Sequence, residues 1–437
     1  MVLGVNVQRM LLLALACTHD SRPDVVLILI DTLRADAMHY AGHPLQATPN
    51  IDAFVQQDAT WFSRSYAATS WTLPSVVTLL TGLQPWEHRV VKSQMGTDHY
   101  GRLLPHVPTL ASRWRGQGYR TGAWINNAFL APQFGLKEGF DVYSYQGAEL
   151  TGHRTARETV DAAIAFLGQS DDPAFLFVHI MEPHADYDPG EPFKGSFTEG
   201  MPHTVTYPLG EKTHVGWMVG MSRPSTDDAA YVRNMYMEEI LASDAAVGVL
   251  LDALRERPAW DESVVVISSD HGEEFWDYGR YEHGHTLLEP VIRVPLAVKA
   301  PGIGPSRNDS VVGPEEVHEF LVTPGTGILA ELATQGTQAG RSQCHQGIIY
   351  GPQQAGIVTD SEHLIAQLEP ERRFYLFDLD PTAREDTPPK AEVDENHPLV
   401  QQLVSCRGGL NVTLPVDPSP INDPTTFGQL RALGYVE

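Results

Sequence analysis

The sequence predicts an α/β fold: a large central, mostly parallel sheet sandwiched by helices, with a small α+β subdomain at the C-terminal end. Short apolar segments rich in β-branched residues alternate with segments of helical periodicity, which is typical of such folds. The apolar segments show no polar alternation, as expected for strands buried on both faces. From about Gln338 the pattern changes to shorter strands and turns. These three observations define the predicted architecture.

The predicted strands of the large sheet are short, and each is apolar and β-rich. They lie at residues 24–31, 123–126, 175–179, 264–269 and 294–298. Helical patterns occupy residues 109–117, 155–167 and about 227–255, the last with apolar residues at three- and four-residue spacings. A Pro/Gly-rich stretch at 189–224 has little periodicity and predicts a surface excursion near the carboxyl ends of the strands, where open α/β sheets bind ligands.

The domain organisation follows from these patterns. We expect a leader at residues 1–22, a catalytic domain at 23–337 and a C-terminal subdomain at 338–437. Within the subdomain, residues 347–350 and 374–378 predict strands, whereas the polar stretch 380–397 and the Pro-rich stretch 415–424 predict loops.

The composition excludes several classes of protein. The chain has 437 residues, of which 42% are hydrophobic and 19% charged, as in globular proteins rather than disordered ones. Its 30 Lys and Arg against 55 Asp and Glu give a formal net charge of −25. Nucleic-acid binding needs clustered cations facing phosphate, so no nucleic-acid partner is expected. A polybasic membrane patch is excluded on the same ground.

The three cysteines are too few for a disulfide scaffold. Cys17 closes the apolar stretch 9–17, which resembles a short secretory segment ending in a lipobox-like Leu-Ala-Cys. This predicts an exported protein, either periplasmic or a lipoprotein anchored to the outer membrane through Cys17, with an extracellular location left open. The alternative is a wrongly assigned start. In an oxidising compartment Cys344 and Cys406 would be able to pair. No apolar run reaches the length of a membrane-spanning helix.

Two segments follow strands and carry carboxylates. Asp31 ends the first predicted strand, where a carboxylate is a natural ligand for a hard cation. The alternative is that Asp31 or Thr32 caps a helix. Asp270 and His271 end a later strand, and Gly272 allows the sharp turn that would let both face one cation. Capping explains Asp270 but not His271.

Thr72 is the candidate nucleophile. Pro74 suits the first turn of a helix, so Thr72 falls at or just before the helix N-terminus. A hydroxyl there meets unpaired amides and the positive end of the helix dipole, which favour an oxyanion. Simple capping by Thr72 is the alternative. Histidines that could orient an oxyanion or protonate a leaving group surround these segments in the sequence: His179, His184, His283 and His285.

Taken together, these segments resemble the sulfatase family within the alkaline phosphatase superfamily. The resemblance runs from about Asp24 to Tyr435. It also includes residues 48–52, 118–121, 181–188 and 292–296, in the order and spacing of that family. The resemblance implies a large α/β sandwich with a smaller C-terminal sheet, and one bound divalent cation. That ion would be Ca²⁺ by resemblance, with Mn²⁺ and Mg²⁺ as alternatives.

The resemblance also assigns roles to residues. The predicted metal ligands are Asp31, Thr32, Thr72, Asp270 and His271. The predicted catalytic residues are Thr72, His184, His283 and His285, and the predicted substrate-binding residues are Asn126, Asn127 and His184. Thr32 stands where the family often has a second Asp.

The nucleophile segment departs from the family pattern. Thr72 replaces the Cys or Ser that is converted to formylglycine, and Val76 replaces an Arg. Asn126-Asn127-Ala128 stands in place of a Lys-x-His signature. Because Thr cannot be oxidised to the aldehyde, no formylglycine is expected. A Thr ester lacks the second hydroxyl of a formylglycine hydrate, so water must cleave it at sulfur or phosphorus.

The sequence therefore predicts a metal-dependent hydrolase of a sulfate ester or a phosphate or phosphonate ester, acting on a small molecule or a glycan. Two alternatives stay open. One is a degenerate homologue that binds sulfated or phosphorylated glycans without turnover. The other is a phosphoryl-group transferase, because the set Asp31, Thr72, Asp270 and His271 is similar to that of lipoteichoic-acid-synthase-like and phosphoethanolamine-transferase-like enzymes.

Overall fold

The computed structural model describes residues 22–92, 100–146, 154–379, 388–410 and Leu430. The predicted leader with Cys17, residues 380–387 of the predicted loop at 380–397, and the Pro-rich stretch 415–424 lie outside the described residues. Within the described part, no helix is both long and apolar enough to cross a membrane.

The N-terminal three quarters of the chain form a nine-stranded sheet in the order β11-β2-β10-β6-β1-β5-β3-β4, with β9 paired to β2. Strands β1, β3, β4, β5 and β6 run parallel, and β10 is antiparallel to both β6 and β2. A short hairpin, β7–β8, follows β6. The bounds are β1 Val25–Ile30, β2 Thr60–Tyr66, β3 Arg120–Ile125, β4 Val142–Tyr145, β5 Ala174–Ile180, β6 Val264–Ser268, β7 Glu274–Phe275, β8 Tyr281–Glu282, β9 Arg293–Val294, β10 Leu296–Lys299 and β11 Ser306–Val312.

Helices cover both faces of this sheet, as predicted. Alternate residues of β1 enter opposite hydrophobic cores: Val25, Leu27 and Leu29 pack on one face, and Val26, Ile28 and Ile30 on the other. The bounds are α1 Pro49–Gln57, α2 Thr72–Thr81, α3 Pro85–His88, α4 Leu110–Gly116, α5 Ala156–Leu167, α6 Glu211–Met218, α7 Thr226–Arg255, α8 Glu289–Ile292, α9 Pro314–Val322, α10 Gly327–Gln335 and α11 Pro398–Arg407. The three predicted helices correspond to α4, α5 and α7.

The C-terminal region forms a separate antiparallel sheet in the order β12-β13-β14-β15-β16, against which α11 packs. Cys344 of β12 and Cys406 of α11 are joined by a disulfide. The second sheet begins five residues after the predicted domain boundary at 337/338, which remains a prediction. The bounds are β12 Gln343–Gln346, β13 Gln354–Val358, β14 Glu362–Gln367, β15 Arg373–Asp378 and β16 Ala391–Val393.

Three local predictions were wrong. The strand expected at 294–298 is divided into β9 and β10 because Pro295 has no N–H to give to a sheet. The strand expected at 347–350 is a loop, since Gly347 has a φ of 101° and the amides of Ile349 and Tyr350 instead donate to the Gly284 carbonyl. The predicted loop at 380–397 contains the short strand β16.

The excursion at residues 189–224 is tied to α7 by a buried carboxylate. Glu238 accepts hydrogen bonds from the amides of Phe197 (2.7 Å) and Thr198 (2.8 Å). The excursion contains one helix, α6, which the weak periodicity did not predict. Because α6 contacts β8 at the carboxyl side of the sheet, the excursion forms part of the wall near the site.

Candidate active site

Three adjacent strands bring the candidate ligands together. β1 lies between β6 and β5 in parallel register, with Leu29 opposite both Ser268 and His179. Asp31 follows β1 directly, Asp270 follows β6 by two residues, and His179 is the penultimate residue of β5. All three side chains are buried. Parallel pairing alone therefore places two carboxylates and an imidazole at one edge of the sheet.

Asp31, His179 and Asp270 form a group that could hold a metal ion. One ligand atom from each lies within 4.8 Å of the others. Among the described residues, Asp31 Oδ1, Asp270 Oδ2 and both nitrogens of His179 have no hydrogen-bond partner. Buried polar atoms are rarely left unpaired, and oxygen and imidazole donors suit a divalent cation. The donor set therefore fits the cation that the sequence predicts.

The pKa shifts of Asp31 and His179 also favour a bound cation. Burial and the neighbouring Asp270 carboxylate raise the pKa of Asp31 well above its usual value. Burial lowers the pKa of His179 to about 4, so its imidazole is neutral at pH 7 and carries a free lone pair. Within the described part of the chain no arginine or lysine pairs with these two carboxylates, so together with the neutral imidazole they are complementary to a bound cation.

His271 lies at the same group, as predicted. Its Nε2 is 3.7 Å from Asp31 Oδ1, 3.5 Å from Asp270 Oδ2 and 3.3 Å from Thr72 Oγ1. Its Nδ1 lies 2.9 Å from the Gly272 carbonyl oxygen, which can only accept. In the neutral ring Nδ1 therefore carries the proton, and the Nε2 lone pair faces the oxygens.

Thr72 is the first residue of α2, which confirms its predicted position at the helix N-terminus. The residue before it, Trp71, makes no side-chain cap. The Thr72 hydroxyl, 1% exposed, lies within hydrogen-bonding distance of the side chains of His271 and Asn127. Within the described residues, the hydrogen bonds found for this hydroxyl go to these two side chains and not to amides of the helix.

The two asparagines behave differently. Asn127 donates through Nδ2 to Asp31 Oδ2 (2.6 Å) and to Thr72 Oγ1 (3.2 Å), and so links the carboxylate to the hydroxyl. The Asn126 amide is bonded to Thr159 Oγ1 (2.7 Å) and to Arg154. Asn127 therefore lies in the candidate site. The Asn126 side chain instead bonds to residues outside the site and helps to hold the fold together.

Two predicted histidines stand beside His271. The ring of His283 is 4.4 Å from that of His271 and 5.1 Å from that of His184, centroid to centroid. Burial lowers the pKa of both His184 and His283. His283 Nδ1 lies 3.1 Å from Glu273 Oε1, and His184 Nδ1 donates to the Ala185 carbonyl at 2.8 Å.

His285 and Thr32 occupy more peripheral positions. The His285 ring stacks on Tyr350 at 4.9 Å. The backbone amide of Thr32 donates to Asp270 Oδ1 (3.4 Å), while its buried hydroxyl has no hydrogen-bond partner among the described residues. Thr32 also has a φ of 55°, uncommon for a residue with a branched side chain. Its contact with a predicted ligand is therefore made by the backbone.

Sequence reasoning missed three features of this site. His179 was grouped with the proton-transferring histidines, although an imidazole inside an otherwise apolar strand is a signal of a different role. Glu273 follows the Asp-His pair and was not assigned. His214 of α6 forms a buried ion pair with Glu282, and nothing in the excursion marked it.

The fold and the site define a class of protein: an α/β enzyme with a candidate cation-binding group and a buried hydroxyl at the carboxyl ends of its strands. The family model described as Sulfatase matches residues 23–323. The chain therefore belongs to the sulfatase family, a family of ester hydrolases that normally use a divalent metal.

Curated relatives share this region of the chain. An ulvan-active sulfatase of Formosa agariphila is 24% identical over 335 residues, 69% of this chain and 60% of the relative. A choline-sulfatase of Rhizobium meliloti is 22% identical over 334 residues, 65% of this chain and 64% of the relative. The chain thus spans about three-fifths of the length of these relatives.

Solved structures share the fold. A protein in complex with its substrate D-glucosamine-2-N,6-O-disulfate superposes with a TM-score of 0.71 at 18% identity, covering 91% of this chain and all of the other. A phosphonate monoester hydrolase of Agrobacterium radiobacter superposes with a TM-score of 0.68 at 19% identity, covering 89% and 94%. The mostly parallel sheet and the C-terminal antiparallel sheet are those of the sulfatase fold.

Proposed function

We propose that this chain hydrolyses a sulfate, phosphate or phosphonate ester of a small molecule or a glycan, with the Thr72 hydroxyl as nucleophile. One observation carries the proposal. The buried Thr72 Oγ1 lies 3.2 Å from Asn127 Nδ2 and 3.3 Å from His271 Nε2, beside Asp31 and Asp270, each of which keeps one oxygen without a hydrogen-bond partner among the described residues. A hydroxyl in that setting is placed for attack on an anionic ester.

The residues that would hold the cation are Asp31, His179, Asp270 and His271. When bound, a divalent cation polarises the non-bridging oxygens of an ester and lowers the pKa of an attacking hydroxyl. The chain supplies the rest of the electrostatics. Asn127 donates to Thr72 Oγ1 and fixes its direction. The first amides of a helix lack intrahelical partners, so the start of α2 would favour the oxygens of a bound ester.

His184 and His283 are the candidates for proton transfer to the leaving group and from the attacking water. His184 donates a hydrogen bond from Nδ1–H to the Ala185 carbonyl, so its Nε2 is an acceptor while the ring is neutral. In that form it can take a proton from the water that opens the Thr72 ester, and in the protonated form it can return a proton to the leaving oxygen. His283, between His184 and His271, can hydrogen-bond to developing charge.

The bond changes follow from a Thr nucleophile. Thr72 gives its hydroxyl proton to solvent water, and the bond from Thr72 Oγ1 to sulfur or phosphorus forms as the bond to the leaving oxygen breaks; protonated His184 supplies the proton that this oxygen takes up. Water then attacks the same atom and releases Thr72 with inorganic sulfate, phosphate or a phosphonate. The names of the relatives support both ester types: sulfatases lie among the sequence relatives, and a phosphonate monoester hydrolase lies among those of similar fold.

The test is turnover of aryl sulfates, phosphomonoesters, phosphodiesters and phosphonate monoesters with Ca²⁺, Mn²⁺ or Mg²⁺. We expect at least one class to be hydrolysed, Thr72→Ala to lose about a thousandfold or more, and Thr72→Ser to retain most activity. Mass spectrometry of quenched wild-type enzyme should find the substituted Thr72 peptide. Wild-type turnover that survives Thr72→Ala would exclude this nucleophile.

The same assay decides between the alternatives. A metal-loaded wild-type protein that binds an ester without turning it over would be a degenerate binder. Transfer of the phosphoryl group to an added alcohol faster than to water would indicate a transferase.

We also propose that the protein is exported and carries lipid on Cys17. The apolar stretch 9–17 and the Leu-Ala-Cys at its end support this. Expression in a bacterial host with a labelled fatty acid should label the wild type and not Cys17→Ala. An unlabelled wild type that stays in the cytoplasm would contradict the proposal.

A further inference from the structure

The Arg34 cavity, named for the arginine at its base, lies beside the loop that follows β1. It has a volume of about 250 Å³ and is enclosed by that loop, by α7, by the β7–β8 hairpin and by α8. Six of its lining side chains carry charge, three of each sign: Arg34, Arg233, Arg293, Asp36, Asp277 and Glu289. The volume is below the roughly 300–1,000 Å³ of pockets for drug-sized ligands, so it suits a single small ring.

The base of this cavity is a rigid set of ion pairs. Arg34 Nη1 donates to Asp277 Oδ2 at 2.8 Å, and both side chains are only 9% exposed. Arg34 also donates to both oxygens of Asp36, at 2.8 Å and 2.7 Å. Bidentate pairs of this kind have fixed geometry, so they present their remaining hydrogen-bonding positions in fixed directions.

Donors and acceptors remain unused around the base. Arg233, whose side chain is 45% exposed, bonds through Nη2 to Asp277 Oδ1 and the Phe275 carbonyl, and no hydrogen bond of its Nε or Nη1 is found within the described residues. Glu289 Oε1 also has no partner in the described part of the chain, but it is fully buried and therefore not among the groups that a ligand can reach. Asp36 is half exposed and keeps free lone pairs on both oxygens. The cavity thus offers donors and acceptors together.

Aromatic side chains form part of the wall. Tyr236, Phe275 and Tyr278 line the cavity, and the Tyr236 and Phe275 rings lie 4.9 Å apart at 54°. The Tyr236 hydroxyl is already used: it donates to the Thr32 carbonyl (2.9 Å) and accepts from the Arg34 amide (3.0 Å). What these side chains offer a ligand is therefore mainly apolar ring surface, next to charged groups in fixed positions.

We propose that this cavity binds one pyranose ring of a neutral carbohydrate. A sugar hydroxyl both donates and accepts, so it can satisfy the free guanidinium N–H groups and the free carboxylate oxygens together, while the C–H face of the ring packs on the aromatic wall. A sulfate or phosphate only accepts, and it would face the carboxylates of Asp36, Asp277 and Glu289. The proposal does not rest on the proposed hydrolysis or on a bound metal.

Saturation-transfer NMR on the full chain tests it, with the methyl glycosides of glucopyranose, galactopyranose and mannopyranose as probes. We expect saturable binding of at least one probe in the millimolar range. Arg233→Gln and Asp36→Asn each remove hydrogen-bonding capacity at a partly exposed position, and each should weaken that binding by about fivefold or more. Thermal melting confirms that both variants are folded.

Two control variants locate the binding. Arg115→Gln changes a similarly exposed, ion-paired arginine elsewhere on the surface, and should bind the probe like the wild type. Asp270→Asn alters the candidate active site and should also leave binding unchanged. Absence of saturable binding by all three probes would overturn the proposal. So would binding that persists in both Arg233→Gln and Asp36→Asn, or that is displaced by inorganic sulfate.

Discussion

The candidate metal site and the Arg34 cavity hold buried carboxylates in opposite ways, although both are built from the segment that follows β1. In the first, Asp31 faces Asp270, and burial together with that like charge raises the pKa of Asp31 well above its usual value. In the second, burial opposes the ionisation of Asp277, but Arg34 and Arg233 outweigh it and hold the pKa of Asp277 well below its usual value.

The difference lies in where the compensating charge comes from. Asp277 has its counter-ion within the chain, at 2.8 Å from Arg34, so its charge is part of the folded structure. Asp31 and Asp270 have no cationic arginine or lysine beside them among their described contacts, and each keeps an oxygen without a hydrogen-bond partner. Only the first site needs a cation from outside. Removing one carboxylate should therefore have different consequences at the two sites.

The largest expected effect is on turnover. Asp31→Asn removes a carboxylate from the candidate ligands and leaves an amide that binds a divalent cation poorly, so ester hydrolysis should fall by more than about a hundredfold. Asp161→Asn, an exposed aspartate that pairs with Arg157 on α5, is the matched control and should keep wild-type activity. Equal activity of Asp31→Asn and Asp161→Asn would remove Asp31 from the site.

The next largest expected effect is on the free energy of unfolding, through the buried ion pair of Arg34 and Asp277. Asp277→Asn leaves the buried Arg34 without its main counter-ion, and breaking a buried pair from one side costs about 3–5 kcal/mol of unfolding free energy. Urea denaturation with and without divalent metal measures it, and the loss should be the same in both conditions. A loss below about 1 kcal/mol would mean that Asp36 alone compensates Arg34.

At the candidate metal site, by contrast, the effect of removing a carboxylate on stability should depend on whether metal is present. A cation at about a hundred times its dissociation constant should stabilise the wild type by about 3 kcal/mol, and this gain should be absent in Asp270→Asn. Without metal, Asp270→Asn relieves the repulsion of Asp31 and should be at least as stable as the metal-free wild type. Thermal unfolding with and without chelator checks both statements, with Asp161→Asn as control. A variant that still gains the full 3 kcal/mol would place the cation elsewhere.

These contrasts also explain what the sequence could predict. Asp31, Thr72, Asp270 and His271 each follow a local pattern, an apolar strand end or a proline in the first turn of a helix. Residues identified from such local patterns come together in the folded protein because the sheet places the carboxyl ends of all its parallel strands at one edge. The fold class was predictable for the same reason, since period and alternation are local properties.

The remaining features depend on contacts between distant segments. His179 joins the site because β5 lies beside β1 in register, and no local pattern gives strand order. His214 arrives from an excursion of weak periodicity, and Glu273 matters only through the position of His283. Asn126 and Asn127 are neighbours in sequence, yet Arg154 holds one of them away from the site and Asp31 holds the other within it.

Asp244 on α7 gives a third case, and with it the smallest predicted effect. Among the described residues, the donors to its carboxylate are all neutral: the amides of Asn50 (3.0 Å) and Ile51 (2.8 Å) at the start of α1, and the Asn50 side chain. Burial raises the pKa of Asp244 to about 6, although those hydrogen bonds oppose the shift.

Because the folded state holds this proton more tightly than the unfolded state, the contribution of Asp244 to stability is greatest below about pH 4 and is lost as the pH rises through about 6. The wild type should therefore lose about 2 kcal/mol between pH 4 and pH 7 relative to Asp244→Asn, measured by urea denaturation at each pH. Parallel pH profiles of the two proteins would mean that the neutral donors stabilise the charged carboxylate as fully as Arg34 does for Asp277. Any hydrogen-bond donor, charged or neutral, would then be enough to keep a buried carboxylate of this protein ionised.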